Sequence, residues 1–423
     1  MITMITLPWR PSVMASLGVC AVVCLGTLYS LGLYGGRNGV PEYPKIFMLP
    51  HYRSVEHHPS PCRTCQERIN ITFAKVHKAG GSTVSTILQR FGDLRNLSFV
   101  IPRHRVSLGW PYQLRVNSTH DYLPALDGSF NLLVDHVVFN KTKIRSIMPR
   151  DTAYITILRH PFEQLKSSFS WYEVPRKYGI RGKDPIREFL QHPAKYERNF
   201  RTRLPFRYTR NFMAYDLGFT NLTQARNKSA VRDFVRQVDS EFDLVLILEH
   251  LTESLVLLRR YMCWSLSDIL YSPKNTRNYE YKMQGEFPDL IAAHRKWSNV
   301  DYALYDIFNA TLWARIERQG PDFFYEVYHF EDMRTKVVQF CEVAESSWKL
   351  RIPASKWNKD FLVDAEFCRR LRLPQTTYMT NLKEKYEAQK RTVGQQRRAH
   401  ANVYCFSGTG YNDILAGRTN TNS

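Results

Sequence analysis

Residues 69–92 read INITFAKVHKAGGSTVSTILQRFG, and their pattern decides the fold. The first eight are an apolar, β-branched run, which predicts a buried strand over 69–76. The period then changes. Val84, Ile87, Leu88 and Phe91 recur at i, i+3, i+4 and i+7, the spacing of a helix face, and Gly92 reads as its stop. Between strand and helix lie His77, Lys78, Ala79, Gly80, Gly81, Ser82 and Thr83. Two glycines let the backbone wrap closely around a ligand, and a helix N-terminus offers N–H groups and partial positive charge. Lys78 adds a full charge, and Ser82 and Thr83 add hydroxyl donors. The loop therefore reads as a P-loop-like phosphate cradle. It is not the Walker A pattern, which places the Lys after the last Gly. The alternative is an ordinary turn capped by Ser82.

Three more apolar runs, at 131–138, 152–158 and 242–248, read as buried strands, and 251–261 reads as a helix. Strands alternating with helices predict an α/β fold with a mostly parallel central sheet flanked by helices. Ligands of such sheets bind beyond the carboxyl ends of the strands. The third run continues as ITILRHPFEQLKSSF. Arg159 closes that strand, Pro161 forbids its simple continuation, and a helix carrying Ser167 follows. An arginine here suits bidentate phosphate binding, and Ser167 can donate to another oxygen of the same group.

The pair of anion motifs resembles that of sulfotransferases using the donor PAPS. By that resemblance the first motif is the 5′-phosphosulfate loop (Lys78, Ala79, Gly80, Gly81, Ser82, Thr83). The second, Arg159 with Ser167, is the 3′-phosphate site. FAKVHKAGGSTVSTILQRFG, ITILRHPFEQLKSSF and FDLVLILEHLTESLVLLRRYMCWSLSDILY together resemble the galactose 3-O-sulfotransferase family, which includes galactosylceramide sulfotransferase. NFMAYDLGF and FNATLW are also similar. The likeness runs from about residue 70 past Cys263 and fades after about 315. It implies the PAPS-dependent sulfotransferase fold, PAPS as donor with PAP as product, and no metal. The acceptor it implies is the galactose 3-hydroxyl of a glycolipid or glycan. Ala79 stands where the family commonly has Thr or Ser, which removes one hydroxyl contact to the donor.

A sugar hydroxyl is a poor nucleophile, and a positioned base helps by roughly 10²–10⁴-fold. His136 and His77 are the base candidates. His136 falls near the end of the 131–138 strand and matches a family histidine, so it is the expected base, with Lys78 as the cation on the departing phosphate oxygen. His77, beside Lys78, is the other base candidate or an acceptor ligand.

The chain has 423 residues and a formal charge of +20, from 59 Lys+Arg against 39 Asp+Glu. That excess points to a polyanionic partner without choosing among nucleic acid, membrane and nucleotide. The resemblance chooses the nucleotide and implies no nucleic-acid partner. Residues 13–34 carry no charge and reach the roughly 20 residues a membrane span needs. They read as a retained signal anchor rather than a cleaved signal peptide. The expected plan is a cytoplasmic tail at 1–12, an anchor at 13–34, a lumenal stem at 35–67, a catalytic domain at 68–406 and a disordered tail at 407–423. The expected product of this plan is a single-pass type II protein of the Golgi membrane, with a second copy of the chain as a candidate partner.

Sequons at Asn70, Asn96, Asn117, Asn140, Asn221, Asn227 and Asn309 fit a lumenal domain, with Asn70 opening a buried run. Six of the eight cysteines lie beyond the anchor, which predicts disulfides. The Cys62-x-x-Cys65 pair has no second CxxC, so a disulfide near the domain start is expected rather than zinc. The charged stretch 382–400 reads as a solvated helix. A Golgi glycosyltransferase shares this plan, but the chain contains no Asp-x-Asp triplet. A membrane-tethered lectin would need no paired phosphate motifs, and another Golgi carbohydrate sulfotransferase would share both.

Overall fold

The central sheet has four strands: β1 (Ile71–Ala74), β2 (Leu132–Leu133), β3 (Ala153–Leu158) and β4 (Leu244–Ile247). All pairings are parallel, in the order β2-β1-β3-β4. Ile71 pairs with both Leu132 and Ala153, and Ile155 pairs with Leu244. Each strand falls inside one of the four apolar runs and is buried along its length, as parallel strands covered on both faces must be. These facts come from a computed structural model that describes residues 65–407 except 104–106, 117–119, 201 and 274–286. The expected anchor, most of the stem, the tail from 408, Cys62 and the Asn117 sequon lie outside the described residues. Among the described residues no helix is long and apolar enough to cross a membrane.

The run at 131–138 is the least strand-like of the four. Only Leu132 and Leu133 join the sheet. Beyond them the chain pairs instead with another segment, bridging His136 to Ser107 and Val138 to Gln113. Phe99 bridges Leu132 at the outer edge of β2.

The first crossover is α1 (Gly81–Leu94). It runs through Gly92, so this glycine is no stop. A Cβ there would lie 2.5 Å from Phe99 Cζ and 2.6 Å from Leu132 Cδ1; the residue is small because the helix packs hard against the sheet. The other helices that matter here are α2 (Pro161–Trp171), α3 (Phe212–Asp216), α4 (Leu251–Met262), α5 (Asn299–Glu317) and α6 (Asp322–Val343). An antiparallel ribbon, β5 (Leu350–Ile352) with β6 (Phe361–Val363), leads to α7 (Ala365–Arg372) and α8 (Gln375–Ser407). The charged stretch 382–400 is helical as expected, but it is not solvated all round. Tyr378, Met379, Leu382 and Tyr386 of α8 are buried. Lys385 Nζ donates to Asp93 Oδ1 (3.0 Å) and Tyr378 Oη to Asp93 Oδ2 (3.2 Å), which pins α8 to α1.

Cys65 bonds to Cys263, not to Cys62, and Cys341 bonds to Cys368. The first link ties the start of the described chain to the left-handed residue that ends α4. Arg68 N–H donates to Met262 O (3.0 Å) beside it. Asn70 is not placed as a glycan acceptor: its amide donates to Asp151 (2.9 Å) and accepts from Asn131 (2.8 Å). Asn96, Asn221 and Asn227 are exposed.

The Cys65–Cys263 link closes a separation of 198 residues, and losing a native disulfide costs about 2–5 kcal/mol. Cys263→Ser should therefore lower the thermal midpoint by several degrees. A calorimetric scan matching the parent would show the link to be idle.

Candidate active site

Because the strands are parallel, the residues that follow them gather at one edge. The chain leaves β1 for β2 on one side and returns to β3 on the other. The switch point therefore lies between β1 and β3, where open α/β sheets hold ligands. Two of the predicted motifs flank it.

The β1–α1 loop turns on two left-handed residues, Lys78 (φ 61°) and Gly80 (φ 79°). The second is the N-cap of α1, and no side chain caps the helix. Ser82 lies inside α1 and is exposed, so the turn-cap alternative fails. A Cβ on Gly80 would sit 2.5 Å from Leu248 Cδ1, just beyond β4. The helix thus presents an uncapped N-terminus at the sheet edge, which favours an anion. Ala79 is fully buried, and Thr83 N–H donates to Gly80 O (3.0 Å). Lys78 Nζ lies over the exposed Trp171 ring, 4.0 Å from its centroid.

Arg159 follows β3 directly, and its Nη1 donates to Lys78 O at 3.3 Å. The two motifs therefore touch across the switch point. Arg159 Nη2 also lies 3.7 Å from Glu163 of α2. Ser167 is buried two turns along α2. That helix is tied to the loop by Gln164, whose Nε2 donates to His77 O (3.3 Å).

His77 and His136 stack face to face, with centroids 3.7 Å apart and planes 13° apart. Their partners differ. His136 Nδ1 lies 3.0 Å from Lys75 O, and only the protonated nitrogen can serve a carbonyl. Burial, then the neighbouring His77 and Lys75, holds the His136 imidazole well below its usual range and so neutral. His77 is held by a carboxylate. Its Nδ1 lies 2.8 Å from Asp216 Oδ2, and its backbone N–H donates to the same oxygen at 2.7 Å. Trp110 Nε1 donates to Asp216 Oδ1 (2.9 Å). With Nδ1–H directed at Asp216, Nε2 carries the lone pair.

Asp216 ends α3, and α3 is itself anchored. Asp301 of α5 accepts from Ala214 N–H (2.7 Å) and Ser298 Oγ (3.1 Å). Burial raises the Asp301 carboxyl to about 7.

Beneath the loop lies a buried polar group that the motifs did not reveal. Lys75 Nζ donates to Gln375 Oε1, and Gln375 Nε2 donates to Asp135 Oδ1 (2.7 Å). Burial lowers Lys75 to about 8 and raises Asp135 to about 6. Sequence reading missed Lys75, Asp135, Asp216 and Gln375. A signal existed for three of them. Lys75 and Asp135 are the charges that interrupt apolar strand runs, and Asp216 is the one acid within NFMAYDLGF. Gln375 had none. Among the described residues no three His, Cys, Asp or Glu side chains cluster as metal ligands.

The site is thus an uncapped helix N-terminus, a lysine and an arginine at the switch point of a parallel sheet, beside paired histidines. The chain belongs to the galactose-3-O-sulfotransferase family, whose sequence model matches residues 1–352. It is 34% identical over 264 residues to galactosylceramide sulfotransferase of Homo sapiens, covering 61% of this chain and 60% of that one. It is 37% identical over 256 residues to galactose-3-O-sulfotransferase 2 of Homo sapiens, covering 60% and 62%. To galactose-3-O-sulfotransferase 3 of Mus musculus it is 36% identical over 284 residues, covering 66% and 63%. The matched stretch thus spans about three fifths of each relative.

The Lys75–Asp135 pair makes stability depend on pH. Folded Asp135, at about 6 against 3.8, holds an extra proton between those values, so stability falls as pH rises through them. Folded Lys75, at about 8 against 10.5, lets the unfolded chain hold the extra proton above 8, so stability rises again. Both groups are charged and desolvated from about pH 6 to 8. The double variant Lys75→Met, Asp135→Asn should therefore gain most in melting midpoint over the parent, by a few degrees, in that window. The gap should narrow towards pH 4 and pH 10. A gap that ignores pH would mean that the pair is solvated.

Proposed function

We propose that the chain transfers the sulfuryl group of PAPS to the 3-hydroxyl of a galactose residue in a glycolipid or glycan. The observation that carries this reading is the Arg159–Lys78 contact, which joins two anion motifs at one switch point. A donor with separate 5′-phosphosulfate and 3′-phosphate groups needs two such motifs. Lys78 and the Ala79–Thr83 turn take the first group; Arg159 and Ser167 take the second. Family membership supports the same assignment. The donor fits the residues present, because the left-handed Gly80 and the uncapped α1 leave N–H groups at the helix N-terminus without a side-chain partner.

In the reaction the acceptor oxygen bonds to sulfur as the bond from sulfur to the donor phosphate breaks. Positioning and charge stabilisation supply most of the acceleration in such transfers. Lys78 neutralises the departing phosphate oxygen. Of the two histidines, the geometry favours His77 as the base. Its Nε2 takes the hydroxyl proton, and Asp216 stabilises the imidazolium that results. His136, held neutral, contributes its ring as the stacked wall of the acceptor site. The charge-free segment 13–34 supports a type II Golgi anchor, with residues 68–406 as the lumenal catalytic domain on a stem at 35–67.

The test is transfer of labelled sulfate from PAPS to a β-galactoside, with the product mapped by linkage. Sulfate on the 3-hydroxyl is expected; product at another position, or none, contradicts the reading. His77→Ala and Asp216→Asn should lower kcat by roughly 10²–10⁴-fold and 10-fold or more, with PAP affinity within a few-fold of the parent. His136→Ala should cost less. The opposite ranking, with the ascending limb of the pH profile well below the ordinary histidine range, would transfer the base role to His136.

A further inference from the structure

The C-terminal helix lies beyond the residues matched by the family, which end at 352. Its first residue nevertheless reaches the centre of the molecule. Gln375 is 8% exposed and stands 300 positions from Lys75, to which it is hydrogen-bonded. Lys75 and Asp135, its two partners, are 4% and 0% exposed.

The amide does two jobs at once. Its oxygen accepts from the Lys75 ammonium, and its nitrogen donates to Asp135 Oδ1. Asp135 Oδ2 is buried and makes no hydrogen bond, so Gln375 carries the carboxylate's contact. An ammonium and a carboxylate in an apolar interior need such partners, since removing one leaves the other charge uncompensated.

Lys75 also forms the floor of the β1–α1 loop. A Cβ on Gly81 would sit 2.8 Å from Lys75 Cγ and 3.4 Å from its Cε. The lysine stem thus lies directly against the residue that opens α1. Where Nζ is held decides where the stem lies, and the stem decides how Gly81 and the N–H groups after it are aimed.

We propose that Gln375 is a positioning residue for the anion cradle: by tethering Lys75 beneath Gly81, α8 completes the donor site from outside the family-matched residues. The proposal rests on the donor reading above. It makes the seating of Gln375, the first residue of the C-terminal helix, a requirement for donor binding, not only for stability. Burial, which already lowers Lys75 to about 8, would neutralise or displace the ammonium once its acceptor is gone.

Calorimetric titration of the full chain with PAP tests this on four proteins: the parent, Gln375→Met, Gln375→Glu and Lys385→Ala. Methionine fills the same volume without hydrogen bonds. Glutamate keeps the acceptor for Lys75. Lys385→Ala breaks the tie to Asp93 at the other end of α1 and loosens α8 without reaching Lys75. Gln375→Met should weaken PAP binding by at least about tenfold while the acceptor KM stays within about twofold. Gln375→Glu should recover most of the loss, and Lys385→Ala should bind as the parent does even where its melting midpoint falls. Should Gln375→Met not fold, Gln375→Asn, one methylene too short to span both partners, carries the same expectation. Parental affinity in Gln375→Met, or in Gln375→Asn where the methionine variant does not fold, overturns the proposal, and so does a Lys385→Ala loss as large as theirs. If the parent itself fails to bind PAP, the donor reading falls first and this inference with it.

Discussion

The structure depends on one backbone constraint: β1 must become α1 within a few residues, with the helix N-terminus left at the sheet edge. Lys78 and Gly80 make that turn in left-handed conformations. For lysine this costs energy that a folded protein retains at places where function needs it. The reward is positional. The uncapped N-terminus of α1 and Lys78 lie beside Arg159, whose guanidinium donates to Lys78 O across the switch point. Each is a weak anion site alone, and together they suit a ligand carrying two separated anionic groups.

Around that turn the protein spends stability on buried polar groups. The stacked His77 and His136 cannot both be protonated without repulsion, and their partners divide the roles. Burial holds one ring neutral, and a carboxylate fixes the orientation of the other. Asp216 can do so because Asp301 on α5 fastens the short α3 beneath it. Lys75 and Asp135 form a second costly group one layer lower, joined by a glutamine from the far end of the chain. Replacing a buried ion pair by hydrophobic residues of equal volume is often neutral or stabilising.

The parts legible in the sequence were those that depend on local order. Four apolar runs marked the four strands, and the 69–92 pattern marked both the crossover and the loop. Where expectation and structure parted, the cause was tertiary. Only two residues of 131–138 pair as strand, because a neighbouring segment captures the rest. Gly92 continues a helix because Phe99 and Leu132 leave no room for a side chain. Cys65 passes over its neighbour for Cys263. The 382–400 helix looked solvated because its charges dominate its composition, yet a face of tyrosines, Met379 and Leu382 docks it on α1. Lys78, His77, His136 and Arg159 could be chosen from motifs. Asp216 and Gln375 could not be given roles, because nothing local says which distant side chain they will meet.

The central claim is that the two motifs form one site for a nucleotide bearing both 5′ and 3′ phosphates. Its most direct measurement is a calorimetric comparison of PAP with adenosine 5′-monophosphate, in the presence of EDTA. The account predicts that PAP binds at least about tenfold more tightly and that Arg159→Ala erases the difference. Equal affinity for the two nucleotides, or binding of PAP that EDTA abolishes, would contradict it.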